Sequence, residues 1–366
     1  MFPNNGNYII EDHIVQTEDG YLLTLFKVTL SEKAKENLEE RFRKNERQPV
    51  LLQHGMTSSA EVWNFGGEGY GTTFKLLDRG FDVWLGNNRG TKHSRQHVKD
   101  LEPSDFFKFS FQQMGAYDLR AFYDRILADY PKETKIIYFG HSMGTTQFFC
   151  GMLDSVSRDF LAQKTKHYVA YAPCVWFYKK NDHEKINTNL VSDHKKYIQT
   201  YQSEEISPAP CSIGKIVPYP DAQAVEDYFK DKKKKDCNLE LDYEKALYDD
   251  VAYNPNGSTS MCQDHYDQIW DNEFKMFDYG IKENLKKYGS STAPSYDWSY
   301  WPKDLPVTNL IGEFDPCGTQ PYIDGFKEKI GTKNVTFNHI PGWGHMDYML
   351  AADKSKMWDA IDKDLG

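Results

Sequence analysis

No stretch of this 366-residue chain approaches the ~18 to 20 consecutive apolar residues that a membrane-crossing helix needs, so no transmembrane segment is expected. The opening Met1-Phe2-Pro3-Asn4-Asn5 lacks the basic region and apolar core of a secretion signal. Taken as given, the chain does not begin with one, and its compartment stays open. Basic charge is in deficit: 44 Lys and Arg face 54 Asp and Glu, a net charge of −10. With an isoelectric point near 5.6 there is no general phosphate-binding face, which excludes nucleic acid as an expected partner. The six cysteines (150, 174, 211, 237, 262 and 317) form no C-x-x-C pair and no zinc spacing, so neither a structural metal site nor a redox motif is expected. Most are expected to be free and buried, while Cys211 and Cys237 could bridge in an oxidising compartment. His93 and His97 have the spacing of a zinc pair only if that stretch is helical, and a solvated reading is preferred. No internal repeat is present, and no low-complexity segment beyond the lysine run Lys230–Lys235, read as a solvated loop.

Aromatic residues, by contrast, make up 15% of the chain, against a mean hydropathy of −0.71. This combination describes a wet exterior with local apolar patches. Ile9 to Val15 and Tyr21 to Leu30 alternate as strands about the turn Glu18-Asp19-Gly20, which predicts a hairpin. Ser31 to Arg47 is highly charged and reads as a surface excursion. Val50-Leu51-Leu52, Phe81 to Leu85 and Lys135 to Phe139 are short apolar runs separated by segments that can hold helices. That alternation predicts an α/β fold with a mostly parallel central sheet flanked by helices. Tyr168 to Ala172, Val307 to Ile311 and Val335 to Ile340 supply further strands. Between Cys174 and about Ser299 the alternation stops, and prolines, a charge run and aromatics such as Trp176, Phe177, Tyr228, Phe229, Trp270, Phe274 and Phe277 take over. The expected organisation is a core in two parts, residues 1–173 and 300–366, with a cap or lid inserted at 174–299. Its aromatics would either face lipid or pack a core of their own.

Gly140-His141-Ser142-Met143-Gly144 follows an apolar strand and precedes a helix-like run, the context of a nucleophile elbow. The pentapeptide alone would arise by chance in roughly one chain in ten of this length, so its surroundings carry the reading. A serine hydroxyl becomes a useful nucleophile when a neutral imidazole takes its proton and a carboxylate orients that imidazole. In this kind of fold the order is serine, acid, histidine. Asp315, just beyond the strand Val307 to Ile311, and His345, just beyond the last strand, stand where that order places them. Glu313 is an alternative acid and His339 an alternative base, although His339 is expected within a strand with its ring in a packed face. Backbone N–H groups of Met143, after the nucleophile, and of Met56, in the turn His54-Gly55-Met56, are the candidate oxyanion donors.

Thr17-Glu18-Asp19-Gly20-Tyr21-Leu22-Leu23, Leu51-Leu52-Gln53-His54-Gly55, Asp82-Val83-Trp84-Leu85-Gly86-Asn87 with Arg89-Gly90, and Phe109-Ser110-Phe111 with Tyr117-Asp118-Leu119 join the elbow, Asn254-Pro255-Asn256-Gly257-Ser258 and His345-Met346-Asp347. Together these stretches resemble the acid lipases of the gastric and lysosomal type, α/β-hydrolases acting on acylglycerols and sterol esters. The resemblance implies Ser142 as nucleophile, Asp315 as acid, His345 as base, and Met56 and Met143 as oxyanion donors. It implies no cofactor, a lipid ester as substrate, a lipid–water interface as a place to meet it, and a lysosomal or secreted location. Met143 stands where the family has glutamine, and the cap from about Val175 to Ser260 matches poorly. A short-chain esterase or acyltransferase on the same scaffold, and a silent hydrolase fold docking in a larger assembly, remain the rival readings.

Overall fold

The computed structural model describes residues 5–177, 257–270, 273–315, 317–351 and 353–365, with the backbone of 205–206. The lysine run, Cys211, Cys237, Tyr228, Phe229 and much of the expected cap lie outside the described residues.

The hairpin forms as the alternation predicts. Strands β1 (Tyr8–Gln16) and β2 (Tyr21–Leu30) pair antiparallel, and Gly20 takes the left-handed conformation the turn needs, at φ 99°. Seven further strands join this sheet, β3 (Pro49–Gln53), β4 (Asp82–Gly86), β5 (Gln96–His97), β6 (Ile136–His141), β7 (Thr165–Tyr171), β10 (Val307–Gly312) and β11 (Val335–Ile340), while β8 (Glu205–Ile206) and β9 (Ser258–Thr259) form a separate short antiparallel pair. The main sheet runs β1-β2-β4-β3-β6-β7-β10-β11, with β5 against β2. From β4 to β11 every neighbouring pair is parallel.

Both faces of this sheet are covered, which is why its central strands are apolar without interruption. The period of two sorts them: Leu51, Trp84, Tyr138, Tyr168 and Val307 enter the core on one face, while Val50, Leu52, Val83, Ile137, Phe139 and Val169 enter the core on the other. The first core is closed by helices Leu119–Leu127 and Met143–Leu153, and the second by Ser355–Leu365.

Phe177, Tyr266, Phe274, Tyr296 and Trp298 settle into the first core, with Trp176 and Trp270 packed against it. Phe177 stacks on Trp270 with ring centroids 4.3 Å apart, and Phe274 stacks on Tyr296 at 4.9 Å. Phe177, Phe274 and Phe277 are buried. Of the two expectations for these side chains, packing is the one observed.

Three of the stretches that carry the family resemblance meet at a single buried cation. The Arg89 guanidinium, fully buried, donates to Asp118 Oδ1 from Nε at 2.8 Å and to Asp19 from Nη1 and Nη2 at 2.6 and 2.9 Å. It also lies 4.0 Å over the Tyr21 ring. One side chain thus ties the β1–β2 turn, the loop after β4 and the helix start at residue 118, and that loop in turn braces the site below. Removing one partner of a buried ionic network leaves the others uncompensated, at a cost of about 3 to 5 kcal/mol. Arg89→Ala is accordingly expected to lower unfolding stability by that amount in urea titrations; a loss under about 1 kcal/mol would mean water reaches the two carboxylates.

Candidate active site

Strand β6 ends at His141 and the helix Met143–Leu153 begins two residues later. Ser142 makes the turn between them alone, at φ 53° and ψ −120°, a backbone region costly for any residue with a Cβ. The surroundings hold it there. Its N–H donates to Tyr171 O at 3.0 Å on β7, and its carbonyl accepts from Thr145 N at 2.8 Å and from Thr145 Oγ1 at 2.6 Å. Neighbouring glycines make the turn possible by lacking side chains: a Cβ at Gly140 would come within 2.9 Å of the Gly144 carbonyl, and one at Gly144 would overlap the Gln53 carbonyl oxygen on β3.

The imidazole of His345 reaches this serine from the loop after β11. Its Nε2 lies 2.8 Å from Ser142 Oγ, and its Nδ1 lies 2.9 Å from Asp315 Oδ1. The carboxylate can only accept, so Nδ1 carries the proton and Nε2 offers its lone pair to the serine hydroxyl. Asp315 is buried and is held by the Cys317 N–H, which donates to Oδ1 at 2.9 Å, and by the Tyr348 hydroxyl 3.4 Å from Oδ2. Tyr348 is fixed in turn by Gly312 N, which donates to its hydroxyl at 2.6 Å. Burial opposes the charge on Asp315, but the adjacent His345 outweighs it and keeps the carboxyl below the ordinary carboxylate range. For His345 burial likewise opposes the charge, and Asp315 overrides it, raising the imidazole above its ordinary value.

Of the competitors, Glu313 is exposed and its Oε2 accepts from Gly342 N at 2.8 Å, so it braces the histidine loop from outside. His339 is in a strand as expected, but its side chain is exposed rather than packed, because β11 is the edge strand. The stretch holding His93 and His97 is not helical: His93 Nε2 pairs with Glu61 Oε1 at 2.5 Å and His97 Nε2 lies 2.9 Å from Asp19 O, so they form no zinc pair.

The turn after β3 lies against the serine. A Cβ on Gly55 would sit 3.0 Å from Ser142 Cβ, which brings the Gly55-Met56 backbone to the same side as the start of the helix at Met143. Two histidines absent from the expected constellation shape this region. His54 Nε2 accepts from Asn88 N at 3.1 Å, so its Nδ1 is the nitrogen that donates to Gly55 O, at 2.8 Å. Burial takes its pKa down to about 4, and it stays neutral in that tautomer. His141, within the elbow itself, donates from Nε2 to the His345 carbonyl at 3.0 Å, and burial with the nearby His345 lowers its pKa to about 3. Tyr348 was also unforeseen, although it follows the His345-Met346-Asp347 motif directly. Cys174, whose Sγ is 3.9 Å from Ser142 Oγ, and Cys317 give no sign in sequence of lying here beyond the latter's place two residues after Asp315.

A mostly parallel sheet covered by helices, with a serine at the elbow, a histidine and a buried aspartate in hydrogen-bonded series, is the arrangement of an α/β-hydrolase. Comparison with known proteins agrees. The pattern of the family described as "Partial alpha/beta-hydrolase lipase region" matches residues 3–67, and that described as "alpha/beta hydrolase fold" matches residues 48–155. The chain is 30% identical over 359 residues to gastric triacylglycerol lipase of Mus musculus, covering 94% of this chain and 85% of that one. It is 37% identical over 379 residues to Lipase 1 of Drosophila melanogaster, covering 96% and 75%. Among solved structures, a carboxylesterase of the thaumarchaeon Nitrososphaera gargenis superposes with a TM-score of 0.51 at 13% identity, covering 100% of this chain and 97% of that one. A bacterial membrane phospholipase A superposes with the same score at 11% identity, covering 98% and 87%. The chain belongs to the acid lipase family, that of the gastric triacylglycerol lipases.

The pair His345 and Asp315 makes a prediction of its own. Removing the carboxylate charge in Asp315→Asn should lower the pKa of His345, since the charged imidazole gains more from Asp315 than the neutral ring does. Titration of the His345 ring by NMR in EDTA-containing buffer should place the wild-type midpoint above the ordinary value of 6.5 and the variant clearly below the wild type. Equal midpoints would show that Asp315 does not face the ring in solution.

Proposed function

We propose that the protein is a serine carboxylic ester hydrolase that cleaves lipid esters through an acyl-enzyme, with Ser142 as nucleophile, His345 as base and Asp315 as acid. The observation carrying this reading is the unbroken series from Ser142 Oγ through His345 to Asp315, at 2.8 and 2.9 Å. Ser142 Oγ attacks the ester carbonyl carbon as its proton passes to His345 Nε2, and the imidazolium that forms is stabilised by Asp315. The carbonyl oxygen, now an oxyanion, receives hydrogen bonds from the backbone N–H groups of Met143, at the positive end of a helix, and Met56. Collapse of the tetrahedral species expels the alcohol, which takes the proton from His345. Water then enters, loses a proton to the same nitrogen and attacks the acyl carbon; the bond to Ser142 Oγ breaks, Oγ takes that proton back from His345, and the fatty acid leaves. Because the oxyanion donor at residue 143 is a main-chain group, methionine serves where glutamine is usual in the family.

The lipid class is supported by the similarity to relatives such as mouse gastric triacylglycerol lipase. We read residues 174–299 as the segment that shapes the acyl site between the two core parts, 1–173 and 300–366. Each buried methylene contributes about 0.8 kcal/mol, so kcat/KM for p-nitrophenyl esters should climb with acyl length until the site is full. A flat series would favour a short-chain esterase. Ser142→Ala should abolish both hydrolysis and fluorophosphonate labelling with the fold intact, and retained turnover would move the nucleophile elsewhere.

The turn at Gly55 offers a sharper test of the oxyanion assignment. In Gly55→Ala the new methyl meets Ser142 Cβ at 3.0 Å and must push the Met56 N–H out of line. A lost oxyanion donor costs about 100-fold or more in kcat. That loss, with KM and melting temperature little changed, is expected; wild-type kcat would remove Met56 from the mechanism.

A further inference from the structure

Two thiols border the proposed catalytic histidine, and the ester hydrolysis described above gives neither of them work. Cys174 Sγ, Cys317 Sγ and a ring nitrogen of His345 all lie within 4.8 Å of one another, and Cys174 Sγ lies 3.3 Å from the Ala172 carbonyl oxygen. Ser142 Oγ joins the group, 3.9 Å from Cys174 Sγ and 2.8 Å from His345 Nε2. Since Asp315 occupies Nδ1, the ring nitrogen free to act as a ligand is Nε2.

We propose that Cys174, Cys317 and His345 form an inhibitory binding site for a thiophilic divalent cation of the Zn2+ class, with Ser142 Oγ or a water completing the coordination.

Ligand type and preorganisation both favour such an ion. Two sulfurs and one imidazole nitrogen are the donors that zinc selects, and that Mg2+ and Ca2+ avoid. In a tetrahedral site with bonds of about 2.0 to 2.3 Å the donor atoms stand about 3.5 Å apart, so this cluster must contract by about an ångström at its widest, within reach of cysteine side-chain rotation. The backbones are already fixed: Cys174 N donates to Thr145 Oγ1 at 3.0 Å, Cys174 O accepts from Thr146 Oγ1 at 2.6 Å, and Cys317 N donates to Asp315. Asp315 behind His345 reproduces the carboxylate–histidine arrangement that orients metal-ligating imidazoles and raises their basicity. Entry is open from one side, because the His345 side chain is 28% exposed and Cys317 is half-buried. Binding exchanges two thiol protons for two metal–sulfur bonds: one Zn2+ and two S–H groups give the bis-thiolate complex and two H+, with no change of oxidation state. An ion so bound takes the Nε2 lone pair that Ser142 needs, so ester hydrolysis stops.

The inhibition rests on the proposed hydrolase reading, but binding does not, and two readouts separate them. In the first, Co2+ is titrated into the full chain. Wild type and Ser142→Ala should both develop sulfur-to-cobalt charge-transfer bands with tetrahedral visible bands at one equivalent. Cys317→Ala, which keeps the main-chain N–H that Asp315 uses, and Cys174→Ala should lose those bands, with binding weakened roughly 100-fold or more. In the second, Zn2+ should suppress wild-type ester hydrolysis at least about tenfold and EDTA should restore it, while whatever hydrolysis Cys317→Ala shows without metal should need roughly 100-fold more Zn2+ for the same fractional loss. Absent charge-transfer bands, or bands unchanged in Cys317→Ala, would overturn the site. Bands present in a wild type that hydrolyses no ester would uphold the site and overturn the hydrolase reading instead.

Discussion

Everything at the centre of this molecule depends on holding Ser142 at φ 53° at the crossing between β6 and the helix that follows. A side chain in that conformation is costly, and the cost is met by contacts on three sides: β7 through Tyr171, the helix through Thr145, and the β3 turn through Gly55. Of the five non-glycine residues at positive φ among those described, Thr57 and Ala172 also lie on loops beside the serine. Left-handed backbone therefore gathers at the carboxyl ends of β3, β6 and β7, where loops must turn sharply past one another. Glycine is needed at 140 and 144 because backbones occupy the space where its Cβ would be, and at 55 a Cβ would press on Ser142 Cβ at 3.0 Å.

Beneath the serine is a polar layer that burial keeps electrically quiet. His54 and His141 are both fully enclosed and remain neutral, each with its tautomer fixed by a carbonyl acceptor. His54 grips the Gly55 carbonyl, His141 the His345 carbonyl, and Tyr348 stands behind Asp315. The Asp315 carboxylate keeps its charge, and it faces the imidazole whose basicity it raises. A fixed negative charge beside a single titratable ring, with neutral dipoles around it, is the preorganised environment in which a transient imidazolium costs least to form. The proposed thiophilic cation would draw on the same features, taking the Nε2 position that a proton would otherwise hold.

Much of this was legible in sequence, and the reasons are specific. The central strands announce themselves because both faces are buried, and Ser142 and Asp315 each follow such a strand, while His345 follows the half-buried edge strand β11. Asp315 and Glu313 could not be separated by spacing alone; what separates them is that one side chain turns inward beneath β10 and the other outward to Gly342. His339 was expected to be packed because strand residues here usually are, but edge position depends on strand order, which no local pattern encodes. Tyr348, His54, Cys174 and Cys317 come together only through the tertiary crossing of four loops. Arg89, by contrast, sits in a recognisable motif whose purpose became visible only when Asp19 and Asp118 were found on either side of it.

The central claim is that Ser142 Oγ forms a covalent bond to the acyl group of an ester. Acid-quenching the protein milliseconds after mixing with p-nitrophenyl butyrate, followed by peptide mass spectrometry, tests this most directly. The account predicts one butyryl group per chain on the peptide containing Ser142, formed at the rate of the nitrophenol burst and absent after full hydrolysis. An acyl group on another residue, or hydrolysis with no acylated peptide at any time, would contradict it.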